Sequence, residues 1–130
     1  MNILIIDDEL EVLEILSYFL SEADYRVYQA ENLKKAEEII NYYHIDYIFV
    51  DGHVNGELSK DFILKYKDTI PLCLVTGDTE LEVISKELNV VDFLKKPFTS
   101  TQLKDKVKKV ESNINSEKVI WVRWFSAQPI

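Results

Sequence analysis

Three carboxylates stand directly after two short apolar runs: Asp7 and Asp8 follow Ile3-Leu4-Ile5-Ile6, and Asp51 follows Tyr47-Ile48-Phe49-Val50. Runs of this length, rich in β-branched and aromatic residues and without polar alternation, suit strands buried on both faces of a parallel sheet. If the two strands lie side by side and point the same way, the three acids meet at one sheet edge. Carboxylates crowded together resist ionisation unless a cation neutralises them. A small number of hard oxygen ligands suits Mg²⁺ best.

The elements that must position these acids alternate strictly along the chain. Apolar runs near 2–6, 25–29, 46–50, 71–75 and 91–94 read as strands. Between and after them lie stretches with apolar residues at helical spacing: Leu10, Leu13, Leu16, Phe19 and Leu20; Leu33, Ala36, Ile39 and Ile40; about Ser59 to Lys67; Leu81, Ile84 and Leu88; and Leu103, Val107 and Val110. Five strand-helix units predict an α/β fold, a flavodoxin-like doubly wound five-stranded parallel sheet of order 2-1-3-4-5 with helices on both faces. In that order strands 1 and 3 flank the point where the winding reverses, the place where open sheets bind ligands. Asn32 is placed to cap the second helix, Thr99 or Ser100 the fifth, and Asn89 to end the fourth.

The chain's 130 residues suffice for one domain with one core. Hydrophobic content of 47% and charged content of 29% fit a soluble globular protein, and the net charge of −8 argues against direct nucleic-acid binding. No apolar stretch approaches the roughly 18 residues of a membrane span, and Met1-Asn2-Ile3 lacks the features of a signal peptide. A cytoplasmic protein is the expectation. Cys73, the one cysteine, sits in the run Leu72 to Val75 and reads as a buried small hydrophobe.

Two further polar residues stand at strand ends on the same edge: Thr76 after Leu74-Val75, and Lys96 after Phe93-Leu94-Lys95 and before Pro97. Taken singly, each of these residues suits a turn, a cap or a solvated surface, and Phe93 a core aromatic. Together, Asp7-Asp8-Glu9, Asp51, Thr76-Gly77, Phe93 and Lys96-Pro97-Phe98, each in order at a predicted strand end, make residues 1–115 resemble the receiver domain of two-component response regulators, of the single-domain chemotaxis or phosphorelay kind.

The resemblance implies that Asp51 accepts a phosphoryl group from a phosphohistidine of a sensor histidine kinase or phosphotransfer protein. It implies Mg²⁺ held directly by Asp8 and Asp51, through water by Asp7, and by the backbone carbonyl of His53. Lys96 would pair with Asp51 and then with a phosphoryl oxygen, its side chain turned inward by a cis Lys96–Pro97 peptide. Thr76 would donate its hydroxyl to a phosphoryl oxygen and Phe93 would be the aromatic that switches with it. Beyond its own phosphorylation and dephosphorylation no enzyme activity is implied, and the switch is read by a downstream protein. His53 and Asp78 border this site and could tune loss of the phosphate.

The sequence departs from the family in three places. The loop Gly52-His53-Val54-Asn55-Gly56-Glu57 is short and lacks the usual proline, so the third helix is expected early and brief. Asn89-Val90 replaces the usual Gly-Ala. Asn113-Ile114-Asn115-Ser116 is expected to break the last helix, leaving 116–130 as an apolar tail whose run Val119 to Phe125 suits an extra strand, a dimerisation element or a remnant of a fusion or longer gene product. Two readings stand open for the surface: a homodimer through that tail or through the fourth and fifth helices, with Glu80, Glu82 and Glu87 paired to Lys104, Lys106, Lys108 and Lys109 across a two-fold axis, or, as the ordinary reading of such charges, a solvated face. Two other functions compete: a phosphorylation-independent interaction module with the same fold, and an aspartyl-phosphate phosphohydrolase. The hydrolases carry Asp-x-Asp after the first strand, which Asp7-Asp8-Glu9 lacks.

Overall fold

Strand β1 (Asn2–Ile6) is apolar along Ile3 to Ile6, and all four residues are buried, so it must lie inside a sheet with both faces covered. The computed structural model describes residues 1–77, 83, 86–88 and 92–126, those from 116 onward as backbone. In it β1 pairs in parallel with β2 (Arg26–Ala30) on one side and β3 (Tyr47–Asp51) on the other. Beyond β3 lie β6 (Leu72–Thr76) and β7 (Asp92–Lys95), giving one parallel sheet of order β2-β1-β3-β6-β7. That is the expected 2-1-3-4-5 winding, each strand within a residue or two of its expected bounds.

Alternation along the strands splits the core in two. Ile3, Ile5, Tyr47, Phe49, Cys73 and Val75 face Leu13, Leu16 and Leu20 of helix α1 (Leu10–Glu22) and Leu103 and Val107 of helix α4 (Ser100–Ser126). Leu4, Ile6, Ile48, Val50, Leu72 and Leu74 face Ala36 and Ile39 of α2 (Leu33–Tyr42) and Phe62, Ile63 and Tyr66 of α3 (Lys60–Tyr66). Neighbouring residues of one strand thus serve opposite layers.

The caps explain where helices begin. Asn32 Oδ1 accepts the Lys35 backbone N–H at 2.7 Å, as expected. Thr99 Oγ1 accepts from the Gln102 N–H at 3.1 Å while Gln102 Oε1 accepts from the Thr99 N–H at 2.8 Å, a reciprocal capping box that selects Thr99 over Ser100. Asn89 and most of the predicted fourth helix lie outside the described residues, as does Asp78.

Two expectations need correction. Residues 113–116 do not break the last helix, which runs without interruption from Ser100 to Ser126 through the expected boundary at 115 and carries Val119 to Phe125 as helix rather than strand. Asn and Ser each cost a helix only a few tenths of a kcal/mol relative to better formers, and no Gly or Pro occurs between Phe98 and Gln128. Between β3 and α3, where a bare loop was expected, the chain forms a two-stranded antiparallel ribbon of β4 (His53–Val54) and β5 (Glu57–Leu58). Its turn places Asn55 at φ 53° and Gly56 at φ 77°. Left-handed conformation at both central residues is the Asn-Gly hairpin turn. The expected brief third helix is present as α3.

Cys73 is fully buried, and burial together with nearby Asp92 pushes its thiol up to about 12. The thiol therefore stays protonated at neutral pH, and the folded protein should react with Ellman's reagent at least about a hundredfold more slowly than the guanidinium-unfolded chain. Comparable rates in the two states would place Cys73 elsewhere. On the same core layer the Tyr47 hydroxyl donates to Asp92 Oδ2 at 3.2 Å, and Lys106 holds the other Asp92 oxygen. Lys106, one of the lysines open to pairing with a second copy or to a solvated face, thus has a counter-ion within its own chain.

Candidate phosphoacceptor and metal site

Because β1 and β3 are parallel neighbours in the register Ile6↔Val50, the residues following them leave the sheet at one edge. Asp7, Asp8 and Asp51 are brought together there, each offering a carboxylate oxygen within 4.8 Å of the others. β6 ends on Thr76, which is buried and sits opposite Lys95 in the register. Lys96 follows, and the Lys96–Pro97 peptide is cis, as expected. Its Nζ reaches back across the edge to Asp51 Oδ2 at 3.1 Å and to Asp7 Oδ2 at 3.2 Å.

The three acids differ in their surroundings. Asp7 is buried, and both its oxygens are engaged, Oδ1 by the Glu9 backbone N–H at 2.9 Å and Oδ2 by Lys96. Burial raises its pKa and the Asp51 charge adds to this, while the Glu9 N–H and Lys96 oppose; the carboxyl remains above the ordinary range. Asp51 is half-buried, its Oδ1 facing the His53 N–H at 3.4 Å. Asp8 is exposed, and its Oδ2 accepts from the Asn55 N–H at 2.9 Å. Burial depresses Lys96, but Asp51 and Asp7 more than offset it and leave the ammonium raised above its usual value. Lys96 is therefore a fixed positive charge shared by two carboxylates.

The pairing of Lys96 with Asp51 was expected; its second partner, Asp7, was not. Sequence reasoning also missed Ser59, whose hydroxyl donates to the Asp51 carbonyl at 2.5 Å, and Asn55. Ser59 is buried, and a polar residue directly before a helix usually caps it, so nothing in the sequence pointed to Asp51. Phe93 is half-buried against the α2/α3 layer. His53 is exposed on β4.

A parallel sheet that gathers three aspartates, a buried threonine and a bridging lysine at its carboxyl edge is the arrangement expected of a receiver-type signalling domain, and comparison with known proteins gives the family. Residues 3–108 match the response regulator receiver domain, and the chain belongs to that family. It is 32% identical over 111 residues to Regulatory protein VanR of Enterococcus faecium, covering 82% of this chain and 48% of VanR. It is 29% identical over 113 residues to Sporulation initiation phosphotransferase F of Bacillus subtilis (strain 168), covering 83% of this chain and 91% of that protein. A two-component response regulator from Clostridium difficile superposes with a TM-score of 0.81 at 24% identity, over 88% of this chain and 98% of that one, which speaks for the fold alone. The chain spans about half the length of VanR and most of the length of the phosphotransferase.

Receiver domains are signalling modules that bind Mg²⁺ in an acidic pocket and work with histidine kinases or phosphotransfer proteins, and the acidic cluster here offers a donor set of that kind. Among the described residues no helix is long and apolar enough to cross a membrane.

Proposed function

We propose that this chain is a phosphorylatable switch of two-component signalling, in which Asp51 takes a phosphoryl group from the phosphohistidine of a sensor histidine kinase or phosphotransfer protein. An Asp51 oxygen attacks phosphorus, the P–N bond breaks, and the imidazole leaves with the electron pair and takes up a proton. Asp8, Asp51 and the His53 carbonyl would hold Mg²⁺, with Asp7 acting through bound water. That division is supported by the engagement of both Asp7 oxygens and the exposure of Asp8. Bound there, Mg²⁺ would stabilise charge on the equatorial phosphoryl oxygens.

Lys96 neutralises Asp51 beforehand and follows the charge onto a phosphoryl oxygen, which its 3.1 Å contact already favours. Thr76 donates its hydroxyl to another phosphoryl oxygen, and its movement is read by Phe93. The added charge of about −1.5 to −2 biases this segment between two arrangements, and a downstream protein binds one of them. A cytoplasmic setting, where such kinases work, accords with this reading. Residues 1–115 form the receiver unit and 116–130 an addition, of which residues 116–126 continue α4 and offer a candidate surface for a second copy.

The observation that carries the proposal is Lys96 bridging Asp51 and Asp7, with Asp8 in ligand range of both. Incubation with acetyl phosphate and Mg²⁺, followed by intact-mass measurement and peptide mapping, tests it. One phosphoryl adduct per chain, on Asp51 and absent with EDTA, is the expected result. No adduct would favour the phosphorylation-independent module, and sustained turnover of external phosphate esters the phosphohydrolase.

A further inference from the structure

Asp8 differs from its two companions in what orients it. Burial and Lys96 fix Asp7, and Lys96 and the His53 N–H fix Asp51, but Asp8 is exposed and flanks a helix start. Among the described residues, the one hydrogen bond its carboxylate accepts comes from the Asn55 N–H, 47 residues away in sequence at the tip of the β4–β5 ribbon. The ribbon is held at both ends. At its base the Ser59 N–H donates to the Gly52 carbonyl at 2.9 Å and the Ser59 hydroxyl to the Asp51 carbonyl at 2.5 Å. At its tip Asn55 Nδ2 donates to the Glu31 carbonyl at 3.1 Å, tying the turn to the segment after β2.

Resting on the metal role proposed above, we infer that the β4–β5 hairpin is a positioning strut for Mg²⁺: by anchoring to the Asp51 backbone and clamping Asp8 with the Asn55 N–H, it sets the separation of two carboxylate ligands that belong to different strands. One Asp8 oxygen is occupied by the N–H, which fixes the carboxylate plane and leaves the other oxygen for the cation. Hydrogen bonds to a ligating carboxylate commonly govern metal affinity by about 10–100-fold. The clamp depends on the left-handed turn at Asn55 and Gly56, because only that turn brings the Asn55 N–H to the tip. Asn55 and Gly56 are then positioning residues that never touch the phosphoryl group.

A side chain at Gly56 would meet no atom within 4 Å, so Gly56→Val strains the φ 77° backbone without a clash. Isothermal titration of the full chain with Mg²⁺ alone, without any phosphodonor, gives the readout. Gly56→Val should weaken Mg²⁺ binding about 10–100-fold, Asn55→Ala less, and Asn55→Gly, which keeps both the N–H and the left-handed preference, by no more than about threefold. Val107→Ala, which truncates a buried side chain in the core layer on the other face of the sheet from Val54 of the ribbon, controls for general loss of stability and should bind Mg²⁺ like the parent. The inference is overturned if folded Gly56→Val and Asn55→Ala proteins bind Mg²⁺ as tightly as the parent, or if Val107→Ala weakens binding equally. A parent that binds no Mg²⁺ would overturn the metal site itself, and the hairpin's role with it.

Discussion

An Asp51→Asn protein is expected to take up no label from acetyl phosphate and Mg²⁺, a loss of more than about a hundredfold against the parent. The amide keeps the size and planarity of the carboxylate but offers no anionic oxygen to attack phosphorus, and removal of a nucleophile is among the largest single losses a reactive site can suffer. The fold should survive, because the Asp51 side chain is 15% exposed at the sheet edge and Lys96 keeps its contact with Asp7 at 3.2 Å. Asp68→Asn is the matched control, a carboxylate 83% exposed and remote in register from the site. Intact-mass measurement after equal incubation decides it. An Asp51→Asn protein labelled as readily as the parent would mean that the acceptor lies elsewhere and that the cluster at β1 and β3 has another purpose.

Replacing Phe49 by alanine should lower stability by about 3–5 kcal/mol, the usual range for removing a buried phenyl group from a packed core. Phe49 lies in β3, the middle strand of the sheet, is 1% exposed, and stacks at 4.7 Å on Tyr47 within the layer beneath α1 and α4. Domains of this size hold only about 5–15 kcal/mol in total, so the loss removes at least about a fifth of the margin. Urea unfolding should show a much lower midpoint with an unchanged slope, and phosphoryl uptake at low temperature should persist, since Phe49 faces the core and not the acidic edge. A loss under about 1 kcal/mol would mean that the core collapses onto the vacancy or that β3 is not central.

What could be read from the sequence was whatever depended on local pattern plus winding rules. The runs Ile3 to Ile6 and Tyr47 to Val50 are unmistakable as doubly buried strands, and right-handed crossovers then leave few orders, so the meeting of Asp7, Asp8 and Asp51 followed. Asn32 and Thr99 announce their helices by chemistry that acts within three residues. The misses have a different origin. The β4–β5 ribbon was signalled by Asn55-Gly56, the strongest short hairpin cue, but its strands are two residues long and carry no periodicity to support it. The last helix was cut short because Asn113, Asn115 and Ser116 were weighed as breakers, when only Gly or Pro would have been strong enough. The Lys96–Asp7 and Asn55–Asp8 contacts span 89 and 47 positions, and no local pattern encodes which of several nearby carboxylates a long side chain or a turn will select.

The uninterrupted course of α4 gives the domain a lever. At about 1.5 Å per residue its 27 residues reach about 40 Å, more than the width of a small domain. Leu103, Val107 and Val110 hold its first half against the core, so the free arm is the stretch beyond Val110, about 24 Å long. A tilt of about five degrees of that arm would sweep its tip through about 2 Å, enough to make or break a side-chain contact. An adjustment slight at the core would thereby be magnified at a distance by leverage alone.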